Sequence, residues 1–242
     1  MTYSDEVYPN QPLQEVVFEL RFPGEVRIEC ERHLFWEKIR DDYSEISVPR
    51  PVPDQAMALM PYRFRKSDRS MSVLVCMRSL AVSAKIYPGY KEFSKEVLRI
   101  YEIFGSTFNL KKLNRIGWRY INIIPFIREN GSIPLTRFLN LGFKVPKSVP
   151  EKFKNLDFVF ESEHEGCSVI TRLQSIEKLS GHDNAQEALL LDFDYGKVPT
   201  IEQELNFSDV PKYLNEAHQK TRQLFEDFIT EEYRQYLRGD VI

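Results

Sequence analysis

Three cysteines are all this 242-residue chain has: Cys30, Cys76 and Cys167, far apart and in no CxxC or CxxxH spacing. An odd, scattered set excludes a disulfide framework and offers no zinc site, which fits a reducing cytoplasm. Long apolar runs are missing too; none approaches the ~18 residues that span a bilayer, so no membrane association is expected. The opening Met1–Glu6 is polar and acidic, without the basic and apolar regions of a signal peptide. Positive charge is not in excess: 33 Lys and Arg stand against 36 Asp and Glu, and the pI is near 5.9. A chain with no global positive field has little to attract phosphate backbones, so nucleic acid is disfavoured as a partner. Nucleophile, metal and phosphate-loop signatures are lacking, so the sequence assigns no catalytic residue, no metal and no cofactor.

What the chain does have is core material. Hydrophobic residues make up 42 % of it, with 17 Phe and 12 Tyr, which rules out the composition of a disordered protein. Its elements come in an order that occurs twice: strand, helix, run of strands, amphipathic helix. The expected fold is therefore α+β: two pseudo-duplicated β-α-β(3)-α units that form a continuous, mostly antiparallel curved sheet with helices packed on one face. Residues 1–242 form one pseudo-symmetric body in this reading, with half-units of about 8–110 and 111–240.

The first unit opens with Val16, Phe18, Leu20 and Phe22, which alternate with Glu15, Val17, Glu19 and Arg21 in the period of a half-buried strand over Gln14–Phe22. Phe35, Trp36, Ile39 and Tyr43 make one stripe of a helix over Glu31–Tyr43. Three prolines in Ser47–Pro53 predict an extended linker without regular pairing. Strands at Tyr62–Lys66, Met71–Arg78 and Ala81–Tyr87 read as an antiparallel meander. Phe93, Val97, Tyr101, Phe104 and Phe108 then mark a helix over Tyr90–Phe108.

The second unit begins at Leu113–Pro125, apolar on both sides and so expected to be central. A short helix at Leu135–Leu141 and a Lys-rich loop (Lys144, Lys147, Lys152, Lys154) lead to strands Asp157–Glu163, Ser168–Ile176 and Ala188–Tyr195. One long helix is expected over Asp209–Tyr236, capped by Ser208, with Pro211 in its first turn and Gly239 beyond its end.

Three stretches carry a resemblance: Pro12 to Phe22 (PLQEVVFELRF), Asn114 to Asn122 (NRIGWRYIN) and Leu191-Asp192-Phe193-Asp194. Together they resemble a sporadically distributed prokaryotic family of about this length whose function is not established. The likeness implies no catalytic residue or cofactor. It implies an association with mobile defence or toxin-antitoxin neighbourhoods. The duplicated order also resembles the saddle of the TATA-binding protein and, less closely, helix-grip sheets wrapped around one long helix.

Candidate binding residues follow from strand parity. Glu15, Glu19 and Arg21 share the outer face of the first strand, and Arg115 and Arg119 share the outer face of the central one. Such charges pin register by cross-strand pairing, or grip a carboxylate or phosphate, with Asn122 beside Arg119 as an added donor. Asp192 and Asp194 share one strand face, where paired carboxylates hold Mg²⁺ or act as acid and base, or simply face water. Arg63, Arg65, Lys66 and Arg69 alternate with Tyr62 and Phe64 in the form of a stacking platform for single strands. His164 with Cys167, and Cys30 with His33, lack an orienting third group for nucleophilic catalysis.

The leading expectation is a non-enzymatic cytoplasmic binding module that engages a protein partner. Its alternatives are a small-ligand or nucleotide binder with a cavity between sheet and helices, and a nucleic-acid binder that uses the sheet.

Overall fold

Residues with one parity on the first strand are buried and those with the other parity are not, and this alternation sets the whole layout. In the computed structural model, which describes residues 7–50, 59–144, 146–148, 152–164, 166–178 and 186–239, Val16, Phe18 and Leu20 are fully buried. The first unit comprises β1 (Leu13–Arg21), α1 (Arg27–Ile39), β2 (Glu45–Ser47), β3 (Tyr62–Arg65), β4 (Met71–Cys76), β5 (Ser79–Ala84) and α2 (Tyr90–Phe108). The second comprises β6 (Arg115–Pro125), α3 (Leu135–Phe138), β7 (Asp157–His164), β8 (Cys167–Lys178), β9 (Gln186–Lys197), α4 (Val210–Phe228) and α5 (Glu231–Arg238).

The nine strands of the described residues join one antiparallel sheet in the order β2-β3-β4-β5-β1-β6-β9-β8-β7. The opening strands of the two units lie side by side, with Val16 opposite Tyr120, Phe18 opposite Trp118 and Leu20 opposite Ile116. Outward from this seam the connectivity repeats: β1 is followed by β5, β4 and β3, and β6 by β9, β8 and β7. The fold is thus the expected duplicated α+β sheet, with β2 added at one edge. Both long helices, α2 and α4, have 19 residues. Their apolar stripes pack on the inner face of the sheet, α2 over β5 and α4 over β6 and β9, while α1 packs on α2.

One cluster of buried side chains crosses the seam. Phe18 and Trp118 from the sheet meet Phe35 of α1, Phe93 and Phe104 of α2 and Tyr213 of α4. The Phe93 and Trp118 rings stand edge to face at 5.4 Å. Burying each such ring contributes about 1.5–3 kcal/mol, so this cluster dominates the stability of the seam. A second cluster, with Leu189, Leu191, Phe193, Phe225, Ile229 and Tyr233, fills the space under α3 and α5.

The structure departs from the sequence expectations at four places. Glu45–Ser47 pairs with Arg63–Arg65, so Ser47, the first residue of the segment read as an unpaired linker, belongs to an edge strand; residues 51–53 of that segment lie outside the described residues. Helix α1 begins at Arg27 and ends at Ile39, and Tyr43 lies beyond it, buried, with its hydroxyl donating to Glu96 at 2.8 Å. Asn206 and Asp209, not Ser208, form the capping box that leads into α4.

The expected single C-terminal helix is two. Ile229 turns extended (φ −88°, ψ 148°), and Thr230 caps α5 by accepting from the Tyr233 N–H. The freed carbonyls at the end of α4 find donors outside the helix: Asn140 gives its backbone N–H to Phe228 O at 2.7 Å and its side-chain amide to Ile229 O at 2.6 Å. A helix end needs such partners, and the stretch after α3 supplies them. The Met1–Glu6 segment read above falls outside the described residues.

Candidate functional site: the uncovered sheet face

With the helices on one side of the sheet, the opposite side presents the second set of alternating residues. Val17, Leu74, Ala81, Ile121, Ile123, Ile170 and Leu190 point there, and none of them belongs to either core cluster. Across the middle of this face runs a lattice of ion pairs.

Arg119 on β6 takes Asp192 on β9 in a two-pronged grip, with Nε at 2.7 Å and Nη2 at 2.6 Å from the two carboxylate oxygens. Arg172 on β8 closes on the same carboxylate from the other side at 3.0 Å. Arg115 bridges Glu19 at 3.1 Å and Asp194 at 2.6 Å. Two glycines make this second bridge feasible. Gly117 and Gly196 lie opposite each other in the register, and the Arg115 guanidinium rests over both. A Cβ on Gly196 would lie 2.6 Å from Arg115 Nη2, and one on Gly117 only 2.0 Å from Nη1.

These contacts revise the sequence picture. Asp192 does not face water: its side chain is 0 % exposed, because two arginine side chains lie across it. Hydrogen bonding to Asp192 holds the Arg119 pKa above its ordinary value, against the opposing effect of burial. Glu19 and Arg115 do pair across the seam, whereas Arg119 turns to β9 rather than to Glu15 on β1. Each carboxylate of the Asp192 and Asp194 pair is thus committed to an arginine. No group of three His, Cys, Asp or Glu side chains able to hold a metal occurs among the described residues.

Asn122 is not part of this face. Three positions along a strand reverse the parity, so Asn122 points inward, is 3 % exposed and donates to the Leu191 carbonyl at 3.1 Å. The basic set on β3 does not converge either. Arg63 and Arg65 lie on the outer face, Lys66 sits over the Tyr43 ring at 5.5 Å, and Arg69 pairs with Glu45 at 3.5 Å. Phe64 is buried in the core and Tyr62 lies under the Arg32 guanidinium at 3.7 Å, so neither ring of the expected stacking platform is open. His164 and Cys167 are opposite each other at the end of the β7–β8 ladder, with Cys167 buried and His164 exposed and 2.7 Å from Lys220.

Sequence reasoning missed the polar cluster on the inner side of the seam. Tyr87, Tyr120 and His218 form a hydroxyl and imidazole chain, with Tyr120 Oη 3.2 Å from Tyr87 Oη and 2.7 Å from His218 Nδ1. Burial pushes the Tyr120 hydroxyl well above its ordinary pKa of 10.0, and Tyr87 adds to the effect. Beside it, Glu226 accepts from Tyr8 at 2.8 Å, Arg222 at 2.8 Å and Arg234 at 2.9 Å, and is 1 % exposed. The cavity bounded by Tyr8, Tyr87, Tyr120, Asn122, His218 and Arg222 measures about 40 Å³. That volume suits one water molecule and no metabolite. A signal for the cluster was present in the sequence: His218, Arg222 and Glu226 follow Leu214 at successive spacings of four, on the buried stripe of α4.

A larger groove of about 610 Å³ opens beside α5, lined by Phe126, Ile127, Arg137, Phe138, Tyr233 and Tyr236. No helix of the described residues is long and apolar enough to cross a membrane. Comparison with protein-family models gives no match, and comparison with curated proteins gives no relative.

Proposed function

We propose that the protein is a non-enzymatic binding module that engages a protein partner through the uncovered face of its sheet. One observation carries this reading: an eleven-residue central strand, β6, and its neighbours present Val17, Ile121, Ile123, Ile170 and Leu190 outside both cores, between ion pairs that are already formed. Apolar side chains gain by being covered, and charges that already satisfy one another lose less on losing water than free ones do. A flat protein surface meets these requirements better than a metabolite does. The test is affinity capture from the native host with the wild type and with Val17→Asp/Ile121→Asp. The face variant loses a partner that a control variant at exposed Val26 retains; equal recovery by all three proteins refutes the reading.

A second reading, small-ligand binding, is favoured by the groove beside α5, whose volume falls in the range of small-molecule sites. There Tyr233 and Tyr236 stack at 5.9 Å, next to the Arg137 and Glu232 ion pair at 3.3 Å. Thermal-shift screening tests it, since a ligand at 100 times its dissociation constant adds about 2.7 kcal/mol.

A further inference from the structure

The outer face is not uniform from edge to edge. Toward one end β3 presents Arg63 and Arg65, beside the edge strand β2, whose Glu45 is paired with Arg69 at 3.5 Å; at the other end β7 presents Asp157, Glu161 and Glu163, all three exposed. Between them the charges of β1, β6, β9 and β8 largely neutralise one another: Arg115 with Glu19 and Asp194, Arg119 and Arg172 with Asp192. Relief is uneven in the same sense. Around Leu74, β4 and β5 carry only small residues, the half-buried Ser79 and Ala81 and the buried Ser72 and Ser83, whereas β9 and β8 carry Asp194, Ile170 and Arg172, with Asp192 buried beneath its arginines.

Register ties the two ends together. Following partners across the sheet, Arg65 leads through Ser72, Ser83, Val17, Arg119, Asp194 and Ile170 to Glu161. Arg63 leads through Leu74, Ala81, Glu19, Gly117, Gly196 and Ser168 to Glu163. Between β3 and β7 each row thus runs from an arginine to a glutamate, with Glu45 of the edge strand β2 beyond Arg65 and Ser47 beyond Arg63.

Resting on the reading of this face as a protein-binding surface, we propose that its partner is a second copy of this chain, docked face to face about a twofold axis lying along the β1–β6 seam. That axis keeps the height of each row and exchanges its ends. Arg65 then meets Glu161 of the other copy, Arg63 meets Glu163, and the small surface of β4 and β5 receives the bulk of β8 and β9. An isologous contact needs this self-complementarity, and sheets stacked with strands about 30° from parallel are an ordinary way to bury two faces.

The area is sufficient. Seven strand spacings separate β3 from β7. At ~4.8 Å each, and with rows spanning about 20 Å along the strands, each copy covers roughly 700 Å². Two copies bury about 1,400 Å², within the range of stable specific interfaces. Pairing through the free β7 edge is the poorer alternative, because Asp157, Glu161 and Glu163 would meet their own copies, and like charge on an edge strand guards against such pairing.

Sedimentation velocity of the full chain from 1 to 100 µM tests this, with three variants whose folding is checked by circular dichroism. The wild type is a dimer whose dissociation constant rises with salt, as flanking charge pairs require. Arg63→Glu/Arg65→Glu and Glu161→Lys/Glu163→Lys each weaken the dimer by at least about tenfold, because each sets like charges against one another at both symmetric ends of the interface. An equimolar mixture of these two variants restores it, because opposite charges then meet at both ends of the mixed dimer. Ala81→Arg blocks docking by bulk alone, whatever the flanking charges. A wild type that stays monomeric at 100 µM, or a dimer indifferent to all three variants, overturns the second copy as partner. If that monomer still captures a different host protein, and the variants lose it, the binding-face reading survives without the dimer. If the variants lose neither, both fall.

Discussion

Two carboxylates among the described residues, Asp192 and Glu226, are buried, and replacing each with alanine separates two ways a buried charge supports a fold. Glu226 is surrounded by Tyr8, Arg222 and Arg234, and the two arginine side chains are only 18 % and 16 % exposed. Arg222 also lies over the Tyr8 ring at 4.7 Å, and its Nε–H is already buried without a hydrogen-bond partner. Glu226→Ala therefore strands the Arg222 charge, which has little access to water, while Arg234 keeps Glu231 and the residue-226 carbonyl as partners, a change that costs about 3–5 kcal/mol. Asp192 is equally buried, but its arginines, Arg119 and Arg172, are 39 % and 34 % exposed. After Asp192→Ala both can swing into solvent, so the expected cost is that of the missing charge-assisted hydrogen bonds, about 1.5–3 kcal/mol. Urea unfolding at pH 7, followed by far-ultraviolet circular dichroism with equal slopes, reads both numbers. For a chain of this size each kcal/mol lowers Tm by about 2–4 °C, so the two variants differ measurably in a melt as well. An Asp192→Ala variant as damaged as Glu226→Ala, or both within 1 kcal/mol of wild type, would refute the reasoning that residual exposure of the partners decides the cost.

Three further outcomes follow from the same contacts. Burial alone would raise the Glu96 pKa, but hydrogen bonds from Arg99 and Tyr43 outweigh it and hold it below 4.5; a lowered carboxyl stabilises the fold above its unfolded value and ceases to as pH drops through the folded one. The stability gap between wild type and Glu96→Gln accordingly narrows below pH 4.5, and a gap constant down to pH 3 contradicts this. Burial raises Tyr8, Tyr43, Tyr101, Tyr120, Tyr195, Tyr213 and Tyr233, so their contribution is complete below pH 10 and disappears as pH rises beyond it. In an absorbance titration these seven ionise only as the dichroism signal collapses; free ionisation of all twelve tyrosines in folded protein is the contrary result. Gly196→Ala pushes the Arg115 guanidinium off Asp194 and Glu19 and costs about 1–2 kcal/mol, yet is close to neutral in an Arg115→Ala background, which a double-mutant cycle measures.

How much of this was readable in the sequence depends on how local each determinant is. Helix α2 occupies the span Tyr90–Phe108 that its pattern predicts, because five aromatic and aliphatic residues at spacings of three and four admit one period only. The pairing of β1 with β6 was also accessible, since a doubled order of elements sets the opening strands of the two units side by side. The break at Ile229 was not, because the groups that satisfy the end of α4 sit on Asn140, far away in the chain. Its one local sign, Thr230 followed by Glu231 and Glu232, is an ordinary helix start that the apolar stripe outweighed. Pair partners in the lattice were out of reach for a related reason: Arg119 chooses Asp192 only because β9 lies beside β6, a fact of strand order. Grouping Asn122 with Arg119 was an avoidable error, since three steps along a strand always change sides.

Duplication and divergence together explain why the outer face has a direction. Were the two units identical, a rotation about an axis through the seam and normal to the sheet would map each row of the face onto a row of the other unit, and both edges would carry one sign of charge. The two halves are unequal. The first keeps Ser72, Ala81 and Ser83 behind arginines on β3, and the second sets Asp192 and Arg172 behind carboxylates on β7. The inner face cannot diverge as freely, because Phe18 and Trp118 share one core across the seam and a volume change on either side costs packing on both. The inner rows of both units are therefore bound to one apolar packing problem, and charge and bulk are free to differ only on the outer rows.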